Sequence, residues 1–218
     1  MPILLLAVCL VISACGSGGK NSGTGGGDSK PASTNASQGS ETPKEPAAPA
    51  GKKIVLGFAQ VGAESGWRTA NTESIKEAAA AAGIELKFSD AQQKQENQIK
   101  AIRSFIQQKV DVIAFSPVVE SGWETVLQEA KEAGIPVILT DRAIDSEDES
   151  LYVSFIGSDF VEEGRRAGRW LLEQFKDATE PVNIVELQGT TGSAPAIDRK
   201  AGFEEIIKEN PNLKIIAS

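Results

Sequence analysis

The tetrapeptide ESGW occurs twice in this sequence of 218 residues, and its two copies support different chemistry. In the first copy, at 64–67, Arg68 follows at once, so that a carboxylate, a flat apolar ring and a guanidinium group share one short loop. A sugar offers an apolar ring face and hydroxyl groups that both donate and accept hydrogen bonds. Glu64, Trp67 and Arg68 therefore predict a carbohydrate-binding loop. The plainer alternative is a helix start, with Ser65 as N-cap and Trp67 as a packing residue.

The second copy, at 120–123, is followed by another acidic residue, Glu124, instead of an arginine. It therefore lacks the arginine guanidinium group that makes the first copy suitable for binding hydroxyl groups. For this copy the helix start is the favoured interpretation. We predict that Ser121 is the N-cap and that Trp123 packs in the first helical turn.

Short apolar runs and amphipathic segments alternate from residue 52 onward, which predicts strands separated mostly by helices. The predicted strands are at 53–59, 84–88, 111–115, 136–140, 152–157, 182–187 and 213–217. The main predicted helices are at 93–108, 121–133 and 159–175. Repeated strand-helix-strand units indicate an α/β fold with doubly wound parallel sheets.

The composition of individual strands predicts their order in the sheet. The strand IELKF alternates apolar and polar residues, whereas KIVLGF and VDVIAF are almost entirely apolar, so the first is placed at an edge and the others inside. This matches the strand order 2-1-3-4-5. Both ESGW copies then follow neighbouring strands at the switch point, where ligands bind in such sheets.

Two other features are predicted to be structural. Trp170, on the helix at 159–175, is expected to pack in the core beside Leu171 and Phe175. The stretch QENQ at 95–98 is placed on the polar side of a helix and is expected to bind no ligand.

The composition excludes several classes of function. The sequence contains no histidine and, after residue 51, no cysteine, so we predict no catalytic residue, no metal site and no cofactor. A net charge of -8 without a basic stripe argues against nucleic acid as a partner.

The amino terminus predicts export from the cytoplasm. The segment at 1–15, MPILLLAVCLVISAC, is apolar but too short to span a membrane, and its end resembles a bacterial lipobox in which Cys15 is lipidated. A buried apolar strand is the alternative. Residues 16–51 are rich in Gly, Ser and Pro and are predicted to form a disordered tether that holds the domain clear of the membrane.

Longer blocks of the sequence resemble a known family. The blocks are GFAQVGAESGWRTAN, DAQQKQENQIKAIRSFI, DVIAFSPVVESGWETVLQEAKEAGIPVILTDRAI and ELQGTTGSAPAIDRKAGF. Together they are similar to the type I periplasmic sugar-binding family of ABC importers, in particular to its galactofuranose-binding members. The resemblance implies two α/β lobes that close on a monosaccharide, the first at 52–157 and the second beginning at 158–218. The family continues beyond the equivalent of Ser218, so the resemblance also predicts an amino-terminal fragment with an incomplete second lobe.

The resemblance also assigns residues to the sugar site. The implied ligand-binding residues are Glu64, Ser65, Trp67 and Arg68 after the first strand, Asp141 and Arg142 after the fourth, and Arg199 from the second lobe. Adjacent carboxylate and guanidinium groups can each bind neighbouring hydroxyls through charge-assisted hydrogen bonds. For the pair at 141–142 the alternative is a surface salt bridge or turn, and for Arg199 a solvated helix face would be the better explanation without the resemblance.

These observations predict an extracytoplasmic, lipid-anchored receptor that is not an enzyme and that delivers a monosaccharide to the permease subunits of an ABC importer. The expected sugar is galactofuranose or a related hexose or pentose. A sugar sensor for signalling is the alternative. A sugar-responsive transcription regulator shares the fold, but it would need a basic helix-turn-helix in place of the export leader.

Overall fold

The structure is a computed structural model that describes residues 52–218. The predicted signal segment at 1–15, with Cys15, and the predicted tether at 16–51 lie outside the described residues.

Within residues 52–218, seven strands and five α-helices follow one another in the predicted alternation. The strands are β1 (Val55–Gln60), β2 (Glu85–Asp90), β3 (Val112–Phe115), β4 (Val137–Asp141), β5 (Ser154–Gly157), β6 (Val182–Val185) and β7 (Leu213–Ala217). The helices are α1 (Gly66–Ala81), α2 (Gln95–Gln107), α3 (Glu124–Glu132), α4 (Phe160–Gln174) and α5 (Ala194–Ile207), with a short 3₁₀ turn at Glu149–Leu151. None of the helices within residues 52–218 is both long and apolar enough to cross a membrane.

The strands form two parallel sheets. The first has five strands in the order β2-β1-β3-β4-β5, which confirms the predicted order, and the second pairs β6 with β7. Ala59 pairs with Phe115, and Phe115 with Leu139, so β1, β3 and β4 end in register. The residues that follow these three strands therefore meet at one edge of the sheet.

The core of the first sheet confirms the packing role of the second ESGW copy. Trp123 is fully buried, its ring lies 4.9 Å from that of Phe115, and its Nε1 donates to the Val119 carbonyl at 2.7 Å. The predicted N-cap was wrong, because α3 begins at Glu124, Trp123 occupies the N-cap position and Ser121 lies before it in a bend. Gly122 adopts a φ of +83°, and this left-handed residue separates Ser121 from the helix.

The prediction for Trp170 was also wrong, since its side chain is largely exposed. The buried positions of α4 are Phe160, Gly164 and Gly168, which repeat every four residues on one face. A Cβ on Gly164 would overlap the Arg199 carbonyl oxygen of α5, so the two helices touch backbone to backbone along this face. Position 170 lies two residues beyond Gly168, about 200° around the helix from the buried face.

Candidate functional site

The first ESGW copy is both the start of α1 and part of a polar cluster. Ser65 has an extended backbone, with a φ of -152°, and its Oγ accepts a hydrogen bond from the Arg68 N–H at 3.1 Å. The cap therefore fixes the first turn of the helix. Trp67 extends outward with 57% of its surface exposed, and the Arg68 guanidinium carbon lies 4.7 Å from the centroid of its ring, so the exposed part of the ring is what a ligand can contact.

Arg68 connects the polar residues that follow β1 and β4. Its side chain is almost fully buried and uses each guanidinium nitrogen for a different partner. Nε donates to Glu64 at 3.1 Å, Nη1 to the Gln60 side-chain oxygen at 3.3 Å, and Nη2 to Asp141 Oδ2 at 2.8 Å. The loop after β1 and the turn after β4, which are distant in sequence, are thus held together by one side chain.

Gln60 is a member of the cluster that the sequence analysis missed. It is fully buried at the end of β1, where its Nε2 donates to Asn71 and Thr72 of α1. Its oxygen accepts from the Val61 N–H at 3.0 Å and from Arg68. A glutamine that ends an otherwise apolar strand was the signal that could have revealed it.

The turn after β4 has an unusual backbone. Asp141 has a φ of +64°, and the Arg142 N–H donates to the Thr140 carbonyl at 2.7 Å. This combination describes a γ-turn with a positive φ, which is rare for a residue with a side chain. Such strain is concentrated at ligand sites, and here it places the Asp141 carboxylate against Arg68.

Arg142 is buried beside the same turn. Its Nη1 donates to the carbonyl oxygens of Val118 at 3.1 Å and Pro117 at 3.4 Å. Burial lowers the pKa of Arg142 from its ordinary value, and the neighbouring positive charge of Arg68 lowers it further. Asp141 and Glu64 act against this lowering, because their carboxylates lie about 4 Å from the guanidinium group: Nε to Asp141 is 3.7 Å and Nη2 to Glu64 is 4.0 Å.

Gln98 is a second residue that the sequence analysis missed as part of this framework. It belongs to the QENQ stretch and is fully buried, in contrast to the polar surface expected there. Its Nε2 donates to the carbonyls of Ala59 and Ser116, and its oxygen accepts from the Val118 N–H at 2.9 Å. It therefore ties the ends of β1 and β3 together and fixes the loop whose carbonyls hold Arg142.

Arg199 approaches from α5. Its Nε donates to Glu163 of α4 at 2.8 Å, and its guanidinium carbon lies 4.5 Å from the centroid of the Phe160 ring. About half of the side chain is exposed. Arg199 is thus ion-paired near the surface, but it also faces the residues that follow the first sheet, because both line one cavity.

That cavity has a volume of about 330 Å³ and brings together all seven residues assigned from the sequence. It is lined by Glu64, Ser65, Trp67, Arg68, Asp141, Arg142 and Arg199, together with Ser158, Phe160 and Pro195, which the sequence analysis did not assign. The volume is at the small end of the range for small-molecule sites. An exposed tryptophan ring and a surround of carboxylate and guanidinium groups are suited to a small polyhydroxylated ring.

A family model described as the periplasmic binding protein domain matches residues 56–218. The galactofuranose-binding protein of Escherichia coli (strain K12) is 55% identical over 165 residues, which is 76% of this chain and 51% of that protein. The chain spans about half the length of the curated relatives that it matches.

Solved structures of sugar-bound proteins are also similar to this chain. A structure from Mycobacterium smegmatis in complex with β-D-fucofuranose is 71% identical with a TM-score of 0.73, covering 76% of this chain and 54% of that one. The binding component of the arabinose ABC transporter from Shewanella sp. ANA-3, bound to α- and β-L-arabinofuranose, is 54% identical with a TM-score of 0.70, again covering 76% and 54%.

Proposed function

Because the chain belongs to the periplasmic binding protein domain family, we propose that it is the solute receptor of a sugar ABC importer and binds one monosaccharide between two lobes. The ligand is a neutral hexose or pentose in its furanose form, galactofuranose or a close relative. The observation that supports this most is the cavity in which Trp67 and the charged residues after β1 and β4 meet Arg199.

The pairing of charges in the cavity favours a neutral ligand. Glu64 and Asp141 are each bound to Arg68, and Arg199 is bound to Glu163. Since each charged group already has a partner of opposite sign, an anionic sugar would compete with these carboxylates for the arginines. Hydroxyl groups can instead accept from a guanidinium and donate to a carboxylate without disturbing the pairs.

The furanose form is supported by the relatives. The names of the similar proteins mention galactofuranose, fucofuranose and arabinofuranose, and each of these proteins is at least 54% identical to this chain. A cavity of about 330 Å³ is compatible with one five-membered ring and its exocyclic groups.

The location of the receptor is part of the same proposal. The periplasmic binding protein family implies that the domain works outside the cytoplasm. We propose that Cys15 carries a lipid that anchors the protein to the cell membrane, within reach of the permease subunits that receive the sugar.

The direct test is binding of sugars whose ring form can be observed. The protein, produced at its full natural length without the leader, is titrated with ¹³C-labelled D-galactose, D-fucose and L-arabinose, and each solution is followed by NMR. We expect the furanose signals to be lost first, because only those forms are bound. Calorimetry gives the affinity, and a raised melting temperature shows that the ligand binds the folded state.

Two arginine variants control this test. Arg142→Ala removes a cavity residue and should weaken binding, whereas Arg103→Ala removes an exposed arginine that pairs with Glu129 between α2 and α3 and should leave affinity unchanged. The proposal would be contradicted if the wild-type protein bound none of these sugars, or if only the pyranose signals were lost.

A further inference from the structure

Arg199 differs from the other two arginines of the cavity in how its nitrogen atoms are used. Arg68 donates from all three nitrogens to protein acceptors, and Arg142 donates from Nη1 to two backbone carbonyls. Arg199 donates from Nε alone, and its two Nη groups have no hydrogen-bond acceptor within residues 52–218. The edge of the Arg199 guanidinium group that carries the two Nη groups is therefore available to a ligand.

Two residues of α4 hold the rest of the guanidinium group. Glu163 accepts from Nε at 2.8 Å, and the Phe160 ring supports the flat face at 4.5 Å. One of these contacts fixes the edge of the group and the other fixes its plane. Together they limit the rotation of a long side chain that is otherwise half exposed.

The backbone beneath this arrangement is also fixed. Gly164 lies against the carbonyl of Arg199, and Gly202 lies against the carbonyl of Val161, with no room at either glycine for a Cβ. The distance between α4 and α5 is thus set by main-chain contact. Glu163, next to Gly164, is held at a constant distance from the start of the Arg199 side chain.

We infer that Glu163 is a positioning residue for ligand binding, which acts by presenting the Nη edge of Arg199 to the cavity. The inference rests on the proposed function. Glu163 is absent from the wall of the small cavity that contains Trp67, but it lines a neighbouring cavity of about 730 Å³ together with Glu64, Arg142 and Arg199. Its hydrogen bond to Arg199 is the contact through which we assign its effect, and a direct contact with the ligand is the alternative that the tests below separate. A side chain that is ordered before the ligand arrives does not lose its freedom on binding, which makes binding tighter.

The test compares Glu163→Gln with Glu162→Gln. Both positions are on α4, but Glu162 pairs with Arg166 and Arg169 instead of Arg199. Exposed ion pairs contribute little to stability, so both variants should remain folded. We expect calorimetric titrations with D-galactose, D-fucose and L-arabinose to show a Kd raised on the order of 2- to 10-fold for Glu163→Gln, and an unchanged Kd for Glu162→Gln.

A double-mutant cycle distinguishes positioning from a general effect on the fold. In the Arg199→Ala background, Glu163→Gln should have no further effect on Kd, because the group that it positions is absent. An equal loss in both backgrounds, or an affinity of Glu163→Gln that equals that of the wild type, would overturn the inference.

A measurement without sugar separates this inference from the proposed function. With ¹⁵N-arginine labelling, the Nε–H resonance of Arg199, assigned by its loss in Arg199→Lys, should exchange slowly with water in the wild type. It should exchange rapidly in Glu163→Gln and stay slow in Glu162→Gln. If the wild type binds no monosaccharide, the proposed function fails, while this resonance still decides whether Glu163 holds Arg199. Equally rapid exchange in the wild type would overturn the inference.

Discussion

The tryptophans of the two ESGW copies should respond differently to substitution by alanine, one through stability and the other through affinity. Trp123 is fully buried against Phe115 and donates to the Val119 carbonyl, whereas 57% of the Trp67 surface is exposed on the cavity wall. Trp123→Ala should therefore reduce the free energy of unfolding, and Trp67→Ala should reduce the affinity for sugar. Since both residues follow Glu-Ser-Gly, each variant is the matched control of the other.

The stability loss follows from the burial of Trp123. Replacing a fully buried tryptophan by alanine costs roughly 3–5 kcal/mol, which for a domain of this size lowers Tm by about 6–20 °C. Trp67→Ala should change Tm by no more than about 2 °C, because Trp67 lies at the surface with more than half of its surface exposed and surface substitutions typically change stability by about 0.5 kcal/mol or less.

The affinity loss follows from the face of Trp67 that a sugar would cover. Burying roughly 60–80 Å² of that face contributes about 1.5–2 kcal/mol, so Trp67→Ala should raise Kd about 10- to 30-fold. The assay is calorimetric titration of both variants, with melting followed by circular dichroism on the same samples. If Trp123→Ala binds as weakly as Trp67→Ala while its Tm is that of the wild type, the second copy is also a binding loop and our assignment is wrong.

Three further predictions address other parts of the molecule. Asp141→Ala leaves Nη2 of the buried Arg68 without its acceptor and should cost about 1–3 kcal/mol of stability in urea unfolding; an unchanged midpoint would contradict this account. Burial raises the pKa of Glu120, as does the nearby charge of Asp198, so its ionised form opposes folding as pH rises above the ordinary carboxyl pKa. Glu120→Gln should hence raise Tm at pH 7, and the gain should vanish below about pH 4; the same gain at both pH values would show that charge is not the cause. Cys15→Ala should move the exported protein out of the membrane fraction, and wild-type protein that is equally free of membranes would refute the anchor.

The strands and their order could be predicted from the sequence because burial on one or both faces leaves a clear pattern in the residues. The alternation of apolar and polar residues in β2 placed this strand at the edge of the sheet, and the continuous apolar runs of β1 and β3 placed these strands inside it. Trp170 could not be placed in this way, since the close contact of α4 with α5 is made by glycines, which carry no hydrophobic signal.

The polar residues of the site were only partly predictable for a related reason. Charged groups beside a tryptophan predict a site, and the family resemblance predicted Asp141, Arg142 and Arg199, which line the same cavity. Gln60 and Gln98 have an ordinary polar side chain, and only the fold shows that each is buried and hydrogen-bonded at a strand end. The positive φ of Asp141 likewise depends on the tertiary contacts that hold its carboxylate.

The glycine contact between α4 and α5 makes the spacing of these helices depend on the size of two residues. At Gly164 and Gly202 the thickness of a single methyl group separates a fit from a collision with the opposite backbone. Gly164→Ala or Gly202→Ala would force one helix away from the other and move the guanidinium group of Arg199 with it. Gly202 lines neither of the two cavities that contain Arg199, so its size sets the position of this guanidinium group without contributing to a cavity wall.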